Sequence, residues 1–151
     1  MSEPAELGVT LEEHGQAFTE VSFLLEMLVR TAGVVVGKST PTLGTNAGRH
    51  MGKKLPVLLR NPDLPSAVGA VGEALKAGFE LTASVEGTAA AVTVGRCVLR
   101  DVCRERGVAL DGEICKMFHY YLAGMTAQLL GKPVRPAAAK AGDTCSLRLE
   151  S

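Results

Sequence analysis

Four cysteines and one histidine hold most of the chemistry available to this chain. Cys97, Cys103, Cys115 and Cys145 are separated by five, eleven and twenty-nine residues. His119 follows Cys115 by four, so on a helix the two side chains lie on one face. Thiolates are soft ligands. Four of them, or three with His119 replacing one, suit tetrahedral zinc, and four suit an iron–sulfur cluster. No C-x-x-C pair occurs, which removes the zinc ribbon and the thioredoxin-like site. The plainer reading is that each cysteine is a small buried hydrophobe. Arg96, Arg100, Arg104 and Arg106 surround the first two thiols. They either lower thiol pKa values or form a solvated helix face.

The elements that must position these groups follow from the hydrophobic pattern. Residues 1–9 form a loose arm, and residues 10–151 form one domain. Thr10-Leu11-Glu12-Glu13 is a capping box that opens a helix. Its apolar positions Val21, Leu24, Leu25, Leu28 and Val29 recur at helical spacing, and it is expected to stop near residues 31–33. Val34-Val35-Val36 reads as a short strand or extended link, and residues 37–41 as a loop. A second helix carries Gly44, Gly48 and Gly52 on one stripe, where a backbone or a flat ligand can approach closely. Helix-to-helix packing is the favoured explanation. Asp63 or Ser66 caps a third helix.

Phe79 to Glu86 alternates apolar and polar residues. After the Gly87-Thr88 turn, Ala90, Val92 and Val94 alternate on the way back, which is a hairpin. A short helix from Val98 to Glu105 closes at Gly107. Asp111 is placed to cap a long helix ending at Leu130-Gly131. Residues 132–140, with Pro133 and Pro136, read as a linker holding one extended piece, and Thr144 to Glu150 as a last strand. The fold class is α+β, with helices packed on a small antiparallel sheet of hairpin plus C-terminal strand.

At 46% apolar residues and a formal net charge of +0, the chain has the composition of a globular domain. It lacks the basic surface that nonspecific nucleic-acid binding needs. No segment has the roughly 18 apolar residues of a membrane span, because Glu26 and Arg30 interrupt the stretch from Leu24 to Val36. The acidic start is unlike a signal peptide, so a cytoplasmic protein with reduced thiols is expected. Gly37-Lys38-Ser39-Thr40 imitates the end of a phosphate loop, but Ala32 stands where that loop needs its first glycine. No other catalytic motif is present, so an enzyme ranks last among the readings.

The order of several motifs resembles the 4-vinyl reductase, or hydrocarbon-binding, domain family. That family is similar in fold to subunits of TRAPP trafficking complexes and to haem nitric-oxide-binding domains. The matching pieces are the glycine-dotted helix Gly44 to Leu55, Leu75-Lys76-Ala77-Gly78-Phe79-Glu80-Leu81 before the hairpin, and Cys115 opening a helix with Tyr121-Leu122-Ala123-Gly124. Leu130-Gly131-Lys132-Pro133-Val134 and Gly142-Asp143-Thr144-Cys145-Ser146-Leu147 complete the series.

The resemblance implies a sensor or accessory domain that binds a small hydrophobic or aromatic molecule. Its pocket would lie between sheet and helices, walled by Met51, Phe118, Tyr121, Leu122 and Met125. Several family members carry zinc on cysteines matched here by Cys115 and Cys145. The family's other ligands, a carboxylate and a cysteine before Gly-Asp, have no counterpart in Pro136-Ala137-Ala138-Ala139-Lys140. Cys97 and Cys103 would have to complete a different set. The trafficking-subunit likeness implies a homodimer, with Phe23, Leu24 and Met27 as contact residues.

Overall fold

The computed structural model describes Gly8 and residues 10–37 and 40–151. Apart from Gly8, which is exposed, the expected N-terminal arm lies outside the described residues. Nine elements follow in the order α1 (Leu11–Val36), α2 (Thr40–Lys54), α3 (Leu64–Ala74), β1 (Phe79–Glu86), β2 (Ala89–Cys97), α4 (Val98–Arg106), α5 (Glu113–Leu130), β3 (Arg135–Lys140) and β4 (Cys145–Glu150). The class is α+β, as the hydrophobic pattern predicts.

Helix α1 opens with the expected capping box. The Glu13 amide donates to Thr10 Oγ1 at 3.2 Å, and the Thr10 amide donates to Glu13 Oε2 at 2.6 Å. The helix does not stop at residues 31–33 but runs through the three valines to a cap at Gly37. Valine costs a helix only a few tenths of a kcal/mol per residue. Each added residue also gains a backbone hydrogen bond, so an established helix propagates through the run. The loop expected at residues 37–41 is correspondingly shorter, since α2 begins at Thr40 and takes Pro41 into its first turn. Asp63 caps α3, its Oδ1 accepting from the Ser66 amide at 2.8 Å.

The four strands form one antiparallel sheet in the order β1-β2-β4-β3. The hairpin β1–β2 turns at Gly87, whose φ of +63° is the left-handed conformation a tight turn asks of glycine. Strand β4 lies beside β2, pairing Val92 with Leu147 and Ala90 with Leu149. The extended piece of the 132–140 linker is β3, which pairs with β4 across a bulge between Pro136 and Ala138. As an edge strand it tolerates its proline, which has no ladder hydrogen bond to give.

The main core lies between this sheet and α3 and α5. Val92, Val94, Leu147 and Leu149 from the strands meet Val68, Val71, Phe118, Leu122 and Met125 from the helices. Phe118 stacks on Phe79 with ring centroids 4.4 Å apart.

Helix α2 packs on α5 along its glycine stripe. A Cβ at Gly44 would lie 2.6 Å from the Met117 carbonyl oxygen, and one at Gly52 would lie 2.8 Å from Gln128 Cβ. Gly124 answers from α5, against the backbone of Thr45 and Arg49. The stripe therefore receives a helix and leaves no room for a ligand. No helix among the described residues is long and apolar enough to cross a membrane.

Candidate functional site beneath helix α1

A second, smaller core joins α1, α4 and the start of α5. Val29, Val102, Cys103 and Ile114 are its buried members, with Phe18, Leu25, Val108 and Cys115 packed around them. Polar contacts fix α1 over it. Thr19 Oγ1 donates to Glu105 at 2.7 Å, and Arg106 Nε donates to Glu26 at 2.8 Å. The Arg106 guanidinium also lies over the Phe23 ring, 4.9 Å from its centroid. Glu26 is only 6% exposed, and its other oxygen pairs with Arg30 at 3.1 Å. Two cations thus compensate one buried carboxylate, the condition under which burial of a charge is tolerated.

Between α1 and the start of α5 this arrangement leaves a cavity of about 220 Å³. Its apolar walls are Val29, Val108, Ala109 and Ile114, with Glu26 and Arg30 on one side and Gly112 and Glu113 on the other. Roughly 150 Å³ of apolar cavity holds benzene, so a single ring with one substituent fits here. One Glu26 oxygen accepts from Arg106 and the other is ion-paired with Arg30; a carboxylate has about four acceptor sites, so a ligand hydroxyl entering the cavity can donate to it. A larger depression of about 470 Å³ near Thr88, Pro133, Arg135 and Glu150 is a dish at the sheet's end, rimmed by exposed side chains.

The residues named from the sequence are distributed as follows. Phe118, Leu122 and Met125 are buried in the main core, and Tyr121 is half-buried beside them. Met51 is 37% exposed on α2. The cavities beneath α1 and at the sheet's end are lined by other residues.

The thiols divide into two neighbourhoods. Cys103 is fully buried in the α1–α4–α5 core, with Cys115 packed beside it. Burial first, and the neighbouring Cys115 second, push its thiol up to about 12. Cys97 and Cys145 sit at the β2–α4 junction, with Arg100 beside both. Arg100 is 5% exposed and donates to Cys145 Sγ at 3.1 Å, Gly95 O at 2.6 Å and Val94 O at 3.2 Å. Burial raises the Cys97 thiol, with backbone hydrogen bonds and Arg100 opposing it.

Cys97, Cys103, Cys115, Cys145 and His119, expected from the sequence as one metal centre, are not gathered at one point here. Among the described residues no three His, Cys, Asp or Glu side chains converge as a cation requires. One pair is tied into the second core and the other is occupied by a guanidinium, which would repel a cation. His119 is half-buried beside the Phe118 ring, and burial lowers its pKa against an opposing pull from Asp111. The helix-opening place of Cys115 and the strand placement of Cys145 are as expected.

Glu26, Arg30, Arg106 and Ile114 are the site residues that the sequence reading passed over. Their signal was present: two charges interrupt an otherwise apolar run from Leu24 to Val36.

No family model matches the chain, and no curated protein matches it in sequence. Among solved structures it is similar to the phenol-responsive sensory domain of the transcription activator PoxR, determined with phenol. The TM-score is 0.60 at 12% identity, over 85% of this chain and 73% of that one. The chain thus shares the fold of a sensory domain.

Proposed function

We propose that residues 10–151 form a sensor domain of the 4-vinyl reductase type that binds a small hydrophobic or aromatic molecule. The observation that carries this reading is the apolar cavity under α1, in a fold shared with a phenol-responsive domain. The ligand would be a single ring bearing a hydrogen-bond donor. Its body would lie on Val29, Val108 and Ile114, and its donor on Glu26. The motif-based pocket of Met51, Phe118, Tyr121, Leu122 and Met125 is the second site to test, since opening the main core would expose it. The domain would act as a homodimer.

Titration with phenol, followed by amide chemical shifts, tests both sites. Shifts centred on Val29, Val108 and Ile114 support the α1 cavity. Shifts centred on Phe118, Tyr121 and Met125 move the site to the core. Ala109 is exposed at the cavity mouth, so Ala109→Trp should weaken binding by at least about tenfold, or roughly 1.4 kcal/mol, without changing stability. No saturable shift with phenol or other single-ring probes at millimolar concentration would remove the reading.

A further inference from the structure

Two charged side chains are buried among the described residues, Glu26 and Arg100. Glu26 has its two arginines. Arg100, at the β2–α4 junction, forms no ion pair among the described residues. Asp101, next to it in the chain, is exposed on α4. The guanidinium donates instead to Val94 O, Gly95 O and Cys145 Sγ, and its buried Nε has no partner. A cation buried in this way is costly until an anion meets it.

The two carbonyls cannot take on charge, whereas the sulfur gains it by oxidation. Cys145 opens β4 and is half-buried, so a small reagent in solution reaches it. Its thiol makes only a weak further contact, at 3.8 Å, with the Gly142 carbonyl. We propose that Cys145 is a site of oxidation by hydrogen peroxide, and that Arg100 holds the sulfur oxyanion that forms. The inference is independent of the ligand reading.

In the first step the sulfur gives up its proton and attacks one peroxide oxygen. The O–O bond breaks, and the other oxygen leaves with that proton as water. Sulfur is oxidised by two electrons, the peroxide is reduced by two, and a sulfenic acid results. A second peroxide adds a second oxygen and releases a second water. The sulfinic acid then gives its proton to solvent. The sulfinate oxygens accept from the guanidinium as a carboxylate does, supplying the anion that Arg100 lacks.

Strand register keeps the sulfenic acid from closing on Cys97. Phe79 and Leu81 of β1 face Cys97 and Val94 of β2, and Val94 faces Cys145. Cys97 therefore lies two strand steps beyond Cys145, about 7 Å along the sheet and about 5 Å across it. By this register their Cα atoms are about 8–9 Å apart, and a disulfide spans at most about 7 Å. Cys115 is half-buried as well but packs against Cys103 in the α1 core, which makes it the internal control.

The test exposes the reduced full chain to hydrogen peroxide, with and without dimedone, and maps the modified peptides by mass spectrometry. Dimedone should trap Cys145 at least about tenfold faster than Cys115, a difference of about 1.4 kcal/mol in barrier. Without dimedone, Cys145 should gain two oxygens, and the oxidised chain should unfold at a higher urea concentration than the reduced one. Two variants ask the same question without oxidant. Cys145→Asp sets a carboxylate beside Arg100, and its urea midpoint at neutral pH should exceed that of the uncharged Cys145→Asn. Adding Arg104→Gln, which removes the exposed guanidinium one turn along α4, should leave that order unchanged; a reversed order would take the role from Arg100. Trapping of Cys115 first, or of no cysteine, would overturn the inference. So would a Cys97–Cys145 disulfide as the main product, or an aspartate variant less stable than the asparagine one.

Discussion

Gly48 and Tyr121 meet backbone to backbone, because a Cβ on Gly48 would overlap the Tyr121 carbonyl oxygen. Neither partner can yield locally, since the carbonyl belongs to the α5 ladder and Met125, one turn on, is fully buried. Gly48→Ala should therefore separate α2 from α5. Overpacking costs about 1–3 kcal/mol and more when backbone must move, against a gain of about 1 kcal/mol in helix propensity. The expected net loss is about 2 kcal/mol in urea unfolding. Gly15→Ala in α1, where nothing lies within 4 Å, should gain about 0.5–1 kcal/mol instead. Equal effects at the two positions would refute close packing as the reason for the stripe.

The Glu26–Arg106 pair should govern how firmly α1 is attached. Breaking a buried ion pair on one side costs about 3–5 kcal/mol. Arg106 is 27% exposed at its side chain and Arg30 remains on Glu26, so Arg106→Met should cost less, about 2 kcal/mol. The loss should appear first as faster amide exchange in α1, with the exchange of β2 and β4 unchanged. Loss of protection across the whole chain at once would show that α1 does not open as a separate unit.

The division of the thiols has an additivity signature. Cys103→Ala and Cys115→Ala remove members of one packed pair, and their effects should couple by about 0.5 kcal/mol or more. Cys115→Ala and Cys145→Ala act in separate neighbourhoods and should add within about 0.5 kcal/mol. A common four-thiol centre would couple every pair. Cys103 also predicts an alkaline limb. Its thiol ionises near 9.0 when unfolded and only near 12 when folded. The unfolded chain therefore releases its proton first as pH rises. This contribution is full below pH 9 and is lost between pH 9 and 12, and Cys103→Ala should flatten that limb.

Local chemistry made much of this fold legible. The Thr10–Glu13 box, Asp63, Gly107 and Gly131 mark helix ends by mechanisms that act within a few residues, and all four stand where expected. The hairpin was equally plain in its alternation. Asp111 was expected to cap α5, but Gly112 is the cap and Asp111 takes a φ of +64° in the preceding turn. Strand β3 was legible only as an extended piece of a linker, because Ala137-Ala138-Ala139 has neither alternation nor β-branching. It is a strand only because β4 offers an edge. The cavity was less visible still, since it depends on α1 crossing the start of α5, which no local pattern encodes. The cysteines show the converse limit: their order along the chain allows one centre, whereas the fold divides them into two neighbourhoods and sets Arg100 beside Cys97 and Cys145.

His119 supplies the acid-side prediction. Burial holds its pKa below the ordinary 6.5, with Asp111 pulling the other way. Between 6.5 and the lowered value, the unfolded chain binds a proton that the folded chain refuses. Stability therefore rises with pH through that window. The contribution of His119 is complete above pH 6.5, falls as pH drops below it, and levels off once the folded state is protonated too. Urea midpoints from pH 7.5 to 5 should decline in wild type, and His119→Gln should reduce that slope. A slope unchanged by the substitution would place the responsible proton elsewhere. The same titration bears on a metal role: a histidine held by a cation would be kept neutral to much lower pH, so the decline would run further and chelator would shorten it. For a histidine shielded only by its packing beside Phe118, chelator should leave the curve as it was.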